Sequence, residues 1–313
     1  MRRGLILRYS LVSGVSLFIG VILTLFILTP DSLHSTQKYK LQEKKIELII
    51  LILTAPSNLE LRTAIRKTWL RGKTSNTVHL FVTGTKELSK RLEDLIDEEN
   101  KEFNDMLLFD FKDSYSKLTD KVLLTFDWLS KHYSFSYMLK CDDDTFVKLN
   151  EFYKALHLQP SSKLYWGFFD GRSRVKKTGK WKELSWNICD LYLPYAVGGG
   201  YVLSEDLVEY ISNNKDTLRK FKSEDISVGL WLAPLDVNRV HDVRFDTEWA
   251  SRGCSNEYLI THKQNALHMY HKDKLLDDIG MMCEEETQKR ISYQYNWNVP
   301  PSQCCIRNDT TLP

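Results

Sequence analysis

The chain has 313 residues, of which 42% are hydrophobic and 27% charged, so it carries enough apolar side chains to bury a sizeable core. A formal net charge of +2 argues against a nucleic-acid partner, since such proteins usually carry a strongly basic surface. None of the six cysteines forms a C-x-x-C pair, which excludes the usual zinc pattern, and an even number suits disulfides in an oxidising compartment.

The first predicted element is an apolar segment, residues 9–28, that contains no charged side chain. At about 1.5 Å per residue, roughly 20 helical residues cross the hydrocarbon core of a bilayer. Three arginines precede the segment, at positions 2, 3 and 8, and the first charge after it is Asp31, so the positive-inside rule places the N-terminus in the cytosol. A cleaved signal peptide is the alternative, but the segment is long and no small-x-small cleavage site follows it.

These features predict four parts along the chain. A cytoplasmic tail (1–8) and a transmembrane signal anchor (9–28) would be followed by a polar, aperiodic stem (29–45). The remaining residues, 46–313, are numerous enough for one large lumenal domain.

The body opens with alternating strand and helix patterns. Ile46–Leu53 is a nearly continuous run of isoleucine and leucine, which predicts a strand buried on both faces, as in a parallel sheet. Ser57 or Asn58 can cap a helix that continues through Trp69. Strand, helix, strand and helix then follow at residues 77–83, 88–103, 106–111 and 118–129. With the next apolar strand, the pattern predicts an open α/β sheet.

Three adjacent carboxylates end that fourth strand: Asp142, Asp143 and Asp144. Adjacent acids repel each other, so a fold tolerates them buried only where a cation compensates them. Strand ends of open α/β sheets are where ligands bind, and carboxylate oxygens beside a phosphate-bearing substrate suit Mg²⁺ or Mn²⁺. The pattern predicts a metal-dependent enzyme that uses a nucleotide, with a solvated acidic turn as the alternative.

Two further segments could contact such a nucleotide. Arg62 and Arg66 are four residues apart and share one helix face, where they could grip a diphosphate or form a basic surface stripe. The glycines of 198–200 permit a close approach of the backbone to a ligand, and an ordinary turn uses the same residues.

Candidates for a general base and a further metal ligand lie later in the chain. Glu224 and Asp225 begin an apolar segment, where they could act as a general base or cap a helix through its dipole. Four histidines beyond the acids could complete a metal site, although most single histidines are structural. These histidines are His241, His262, His268 and His271.

Taken together, ordered segments of the body resemble the β-1,3-galactosyltransferase family (glycosyltransferase family 31), from about Ile46 to Cys305. The matching segments are Arg62–Trp69, Phe81–Gly84, Asp113–Lys121, Lys140–Phe146, Pro194–Ser204 and Glu224–Gly229. The resemblance implies a GT-A-type nucleotide-sugar transferase domain, an inverting mechanism, UDP-galactose as the donor and Mn²⁺ as the metal.

The resemblance also implies roles for the acids. Asp142 and Asp144 would be the outer acids of a D-x-D motif, with Asp144 binding the metal most directly and Asp142 lying near the metal and the ribose. Asp143 would be a supporting acid on the cofactor side. His262 stands where relatives place a metal-ligating histidine, so it is preferred to His241.

By the same resemblance, Asp225 would be the catalytic base. Arg62, Arg66 and Gly199 would contact the nucleotide. Cys254 and Cys283 flank the segment of His262, and we hypothesise that a disulfide between them braces it.

The C-terminal segments are similar to one branch of the family, which builds the proteoglycan linker. They are Val240–Glu248, Ser251–Asn256, Thr261–Gln264 and Pro300–Cys305. The similarity implies a Golgi membrane enzyme that adds galactose to the Gal-β1,4-Xyl linker of a core protein. The alternatives are a relative with UDP-N-acetylglucosamine or another acceptor, a non-catalytic lumenal glycan-binding partner, and a membrane-anchored hydrolase.

Overall fold

The computed structural model describes most of the body of the chain. The described residues are 45–179, 181–184, 186 and 189–313. The predicted tail, the anchor and nearly all of the stem lie outside the described residues. Within the described part, no helix has the length and apolar character needed to cross a membrane.

A seven-stranded mixed sheet forms the centre of the fold, in the order β3-β2-β1-β4-β7-β6-β8. Its strands in chain order are β1 (Ile46–Leu53), β2 (Thr77–Gly84), β3 (Met106–Phe109), β4 (Phe135–Asp142), β6 (Leu164–Asp170), β7 (Tyr195–Ser204) and β8 (Asn238–His241), with β5 described below. Strand β7 runs antiparallel to both of its neighbours, and the other pairs in this sheet are parallel. The predicted α/β sheet and its first four strands are confirmed, with β3 ending two residues earlier than predicted.

Seven described helices connect and cover the strands. They are α1 (Leu59–Lys67), α2 (Lys90–Phe103), α3 (Leu118–His132), α4 (Leu149–Leu156), α5 (Glu205–Asn214), α6 (Glu224–Leu232) and α7 (Ala266–Ile279). The first helix is shorter than predicted because Thr68 leaves helical geometry, with φ −117° and ψ −114°. A 3₁₀ turn, Trp69–Gly72, follows it.

Strand β1 lies between β2 and β4, which explains its continuous apolar sequence. Residues 48–52 have no exposed surface because helices cover both faces of a largely parallel sheet. In the register of β1 with β4, Leu53 lies beside Asp142, and the Asp143 amide donates to the Leu53 carbonyl at 3.1 Å. The acidic segment therefore begins at the edge of the sheet where the parallel strands end.

A small sheet brings a distant segment to this edge. Its strands are β5 (Phe146–Val147), β11 (Ile260–Thr261) and β9 (Phe245–Asp246), with β11 in the middle. Since Thr261 pairs with Phe146, the residue after β11 comes to lie next to the acidic segment. That residue is His262.

The C-terminal part contains a second small sheet and two disulfides. Strand β10 (Gly253–Cys254) pairs with β12 (Thr287–Gln288), and the hypothesised disulfide between Cys254 and Cys283 is present. A second disulfide joins the neighbours Cys304 and Cys305.

Candidate active site

The outer acids and His262 converge at the end of β4. The Asp144 Oδ1 atom lies 2.8 Å from His262 Nε2, and Asp142 Oδ2 lies 3.6 Å from the same nitrogen. Ligand atoms of these three residues all lie within 4.8 Å of one another. The two carboxylates are about a third exposed, so a ligand can reach them. Two carboxylates and an imidazole form a donor set that fits Mn²⁺.

His262 is held by backbone on two sides. Its amide donates to the Asp246 carbonyl at 2.9 Å, and its Nδ1 lies 3.1 Å from the Glu248 carbonyl oxygen. Because a carbonyl only accepts, Nδ1 carries a proton and Nε2 faces the acids. A Cβ at Gly199 would lie 2.6 Å from Nδ1, so only glycine lets β7 pass this close to the ring.

The charges at this cluster support each other. Burial alone would lower the pKa of His262, but the contact with Asp144 raises it overall. Burial alone would raise the pKa of Asp144. Hydrogen bonds from His262 and Lys263 outweigh burial and lower that pKa below the usual range. The Lys263 Nζ lies 3.1 Å from Asp144 Oδ2. Asp144 is therefore kept ionised, the state in which a carboxylate can bind a cation.

Asp143 faces away from this cluster and into the protein. Its Oδ2 accepts hydrogen bonds from Thr54 Oγ1 at 2.6 Å and from Asn58 Nδ2 at 2.8 Å. Burial raises the pKa of Asp143. Asp143 is therefore bonded to residues that follow β1, Thr54 and Asn58. Its predicted contact with a cofactor stays a prediction.

The two predicted nucleotide-binding arginines form ion pairs inside the fold. Arg62 is 1% exposed and pairs with Glu99 at 2.7 Å. Three nitrogens of Arg66 donate to Glu99 and Asp105 at 2.6–2.8 Å. These pairs give both arginines a structural role: both join α1 to Glu99 of α2, and Arg66 also joins α1 to Asp105, the residue before β3. Their contact with a nucleotide stays a prediction.

Asp225 lies at the first turn of α6, beside the glycines of β7. Its Oδ2 accepts from the Gly198 amide at 2.9 Å, and its Oδ1 accepts from the Ile226 amide at 2.9 Å. The side chain is half-buried. Desolvation first, and then the negative charge of Glu224, raise the pKa of Asp225 to about 7. A carboxylate with this pKa can accept a proton near neutral pH.

Lys140 joins the two acidic groups, a role that the sequence analysis did not assign. Its Nζ lies 2.8 Å from Asp142 Oδ1 and 2.6 Å from Glu224 Oε1, and it donates to the Gly198 carbonyl at 2.6 Å. Burial alone would lower the pKa of Lys140, but the charges of Asp142 and Glu224 raise it. A lysine inside a mostly apolar strand, two residues before the first of three acids, was the available signal in the sequence.

His241 lies apart from the acids. Its Nδ1 accepts from the Phe169 amide at 3.0 Å, and its Nε2 lies 2.9 Å from the Tyr293 carbonyl. Burial lowers the pKa of His241 to about 4. Both ring nitrogens are thus engaged in the fold, which agrees with the preference for His262.

Comparisons with known proteins match most of the body. The family model "Galactosyltransferase" matches residues 60–243. Beta-1,3-galactosyltransferase 6 of Mus musculus is 46% identical over 273 residues, covering 85% of this chain and 84% of that protein. Hydroxyproline O-galactosyltransferase GALT2 of Arabidopsis thaliana is 30% identical over 232 residues, covering 71% of this chain but only 34% of that protein.

Among solved structures, the similarity is distant. The 4-diphosphocytidyl-2C-methyl-D-erythritolsynthase of Anaerococcus prevotii DSM 20548 is 12% identical, with a TM-score of 0.39. It covers 63% of this chain and 86% of that chain.

Proposed function

Because the chain belongs to the galactosyltransferase family, we propose that it is an inverting β-1,3-galactosyltransferase with a GT-A-type catalytic domain. The donor is UDP-galactose, and the acceptor is the 3-hydroxyl of the galactose in Gal-β1,4-Xyl-O-Ser, the growing linker of a proteoglycan. The similarity to the mouse enzyme and the C-terminal segments support this branch of the family.

One observation carries the proposed chemistry. Two successive glycines of β7 touch the two halves of the site: the Gly198 amide donates to Asp225, and Gly199 packs against the His262 ring. A metal-binding group and a general base therefore lie on either side of the same short stretch of backbone. Transfer to a hydroxyl needs both, one for the leaving diphosphate and one for the attacking oxygen.

Asp142, Asp144 and His262 would hold Mn²⁺, and their two carboxylates and imidazole suit it. When bound, the metal ion supplies positive charge against the diphosphate and against the charge that develops on departing UDP. Lys140 Nζ donates a 2.8 Å hydrogen bond to Asp142 Oδ1, so it orients the Asp142 carboxylate. Glu248 fixes His262 through its carbonyl.

Asp225 performs the proton transfer. Its carboxylate accepts the proton of the acceptor 3-hydroxyl as the oxygen forms a bond to the anomeric carbon. The bond from that carbon to the diphosphate oxygen breaks, and its electron pair leaves with UDP. Since attack comes from the face opposite the leaving group, an α-linked donor gives a β1,3-linked product. The pKa of about 7 suits this role near neutral pH.

We also propose that the protein is a single-pass type II protein of the Golgi membrane with its catalytic domain in the lumen. The uncharged segment 9–28, with arginines before it, supports this proposal. The linker glycan on a core protein would then be the partner, and no nucleic acid is expected.

A transfer assay tests the proposed function. The purified protein is incubated with UDP-galactose, Mn²⁺ and a galactosyl-β1,4-xyloside, with UDP-N-acetylglucosamine and chelated reactions as controls. We expect a β1,3-linked galactose product that is lost on chelation. Transfer from UDP-N-acetylglucosamine alone would contradict the donor assignment, and no transfer from either donor by folded protein would contradict the proposed activity with this acceptor.

A further inference from the structure

The main chain of Glu248 lies directly behind the proposed metal ligand. Its carbonyl oxygen is 3.1 Å from His262 Nδ1. On another side of the ring, the close approach of Gly199 leaves no room even for a Cβ. The orientation of His262 Nε2 towards the acids therefore depends on the position of the Glu248 carbonyl oxygen.

The side chain of Glu248 is anchored by three arginines. It is 9% exposed, and its Oε1 accepts from Arg307 Nη2 at 2.5 Å. Its Oε2 forms ion pairs with Arg290 Nη2 at 3.1 Å and with Arg252 Nε at 3.7 Å. Since buried carboxylates are costly unless paired, these contacts hold the Glu248 segment to the rest of the fold.

Two of these arginines come from the C-terminal part of the chain and also fasten the surrounding backbone. Arg290 Nη2 donates to the Ala250 carbonyl at 3.0 Å, and Arg307 Nη1 donates to the Ile291 carbonyl at 2.6 Å. Residues 290–307 thus hold the backbone around Glu248, including the carbonyl that contacts His262. Among the described residues, no ion pair joins this network to Asp142 or Asp144, whereas the Glu248 carbonyl contacts His262 directly.

We propose that Glu248 is a positioning residue, held by Arg290 and Arg307, that fixes the His262 ring for metal binding. The inference rests on the proposed function, because it assumes that His262 binds the metal. Residues that orient a metal-binding histidine typically contribute about 10–100-fold to metal affinity. A purely structural ion-pair cluster would change the stability of the fold and leave the metal affinity of the folded protein unchanged.

The test measures Mn²⁺ binding without catalysis. Glu248→Gln keeps the length of the side chain but removes its charge, and Arg307→Gln removes one of its anchors. Mn²⁺ is titrated against each purified protein and the free ion is followed by electron paramagnetic resonance. We expect the dissociation constant to rise about tenfold or more in both variants. The double variant should be no weaker than Glu248→Gln alone, because the two residues act in sequence.

Two variants serve as comparisons. Lys289→Ala removes a positive charge from the same segment at an exposed side chain that has no ion pair among the described residues. It keeps the backbone bond from the residue 289 amide to the Arg252 carbonyl, so it should bind Mn²⁺ like the wild type. Arg307→Lys retains the charge and should lie between the wild type and Arg307→Gln. If Glu248→Gln does not fold, Arg290→Gln replaces it, since Arg290 is more exposed and its loss is milder.

The outcomes separate the inference from the proposed function. Wild-type affinity in folded Glu248→Gln and Arg307→Gln would overturn the inference and leave the metal site standing. Failure of the wild type itself to bind Mn²⁺ would overturn the metal site, and the inference with it. Weaker Mn²⁺ binding in both variants, with normal binding by Lys289→Ala, would support the inference.

Discussion

The acidic segment after β4 and the acidic pair at the start of α6 both contact the same buried lysine, yet their surroundings differ. Asp142 and Asp144 are about a third exposed and face an imidazole. Glu224 is buried, lies 2.6 Å from Lys140 and accepts from Tyr201 at 2.8 Å. The outer acids keep a side that a cation can reach, whereas Glu224 is enclosed by Lys140 and Tyr201.

This difference produces opposite pKa shifts in the same residue type. Hydrogen bonds and cationic neighbours lower the pKa of Asp144 in spite of its burial. Desolvation and the charge of Glu224 raise the pKa of Asp225 to about 7. A metal ligand must stay ionised, whereas a general base must be able to accept a proton. The two environments therefore indicate the two roles.

The largest expected effect is the loss of the proposed base, Asp225. Asp225→Asn removes the proton acceptor, and general-base catalysis contributes roughly 10²–10⁴-fold, so we expect kcat to fall by at least that factor. The asparagine oxygen can still accept from the Gly198 amide, so the protein should fold and bind UDP with Mn²⁺ as before. Steady-state kinetics and UDP titration test this, and near-normal turnover would remove Asp225 from the mechanism.

The next largest effect comes from removing Lys140, which contacts both Asp142 and Glu224. Lys140→Met leaves Glu224 buried without its cation, which should lower the free energy of unfolding by about 3–5 kcal/mol. Denaturant unfolding measures the change. Lys131→Met is the matched control, because its ion pair on α3 is exposed and should cost about 0.5 kcal/mol or less. Equal losses in the two variants would show that Glu224 does not depend on Lys140 as its buried cation.

Removing an outer acid should affect metal binding more than the fold. Asp144→Ala deletes a proposed ligand, so its cost should exceed the roughly 10–100-fold contribution of a residue that only orients a ligand. We expect the gain in UDP affinity on adding Mn²⁺ to disappear. Isothermal titration of UDP with and without Mn²⁺ measures it, and an undiminished gain would exclude Asp144 as a ligand.

The pH dependence of turnover should reflect the raised pKa of Asp225, in contrast to the lowered pKa of Asp144. Because the pKa of Asp225 is raised to about 7, its carboxylate is ionised above that pH and protonated below it. The base must be ionised, so kcat/KM should rise with pH and level off above about 7, falling about tenfold per pH unit on the acid side. A profile that stays flat down to about pH 5 would contradict the raised pKa.

The regular part of the fold could be predicted from local pattern. Strand β1 and helix α3 follow from apolar runs and helical spacing, which depend on near neighbours in the chain. The acidic segment also stood out in the sequence because it directly follows a strand. The base and the preferred histidine came from the family resemblance, and the structure places them on either side of Gly198 and Gly199.

The remaining features depend on contacts between distant segments. The role of Lys140 requires β4, β7 and α6 to meet, and no local pattern encodes that meeting. Arg66 finds its partners Glu99 and Asp105 33 and 39 residues away. The partner of His262 Nδ1 is a backbone carbonyl, which any residue type supplies, so the sequence gives no sign of it.

The smallest expected effect concerns the middle acid. Asp143 lies between the two outer acids in sequence, but it points into the protein, where Thr54 and Asn58 both donate to the same oxygen. Burial already raises its pKa, so the uncharged asparagine of Asp143→Asn fits this environment and its side-chain oxygen can accept both bonds. We expect a change below about 1 kcal/mol in unfolding free energy, because neutral replacements that preserve hydrogen bonds cost little. The KM for UDP-galactose should stay near the wild-type value, because the Asp143 side chain is bonded to Thr54 and Asn58 and not to the outer acids. A large rise in KM with normal stability would instead place Asp143 at the nucleotide, and the division between the outer acids and the middle acid would then be wrong.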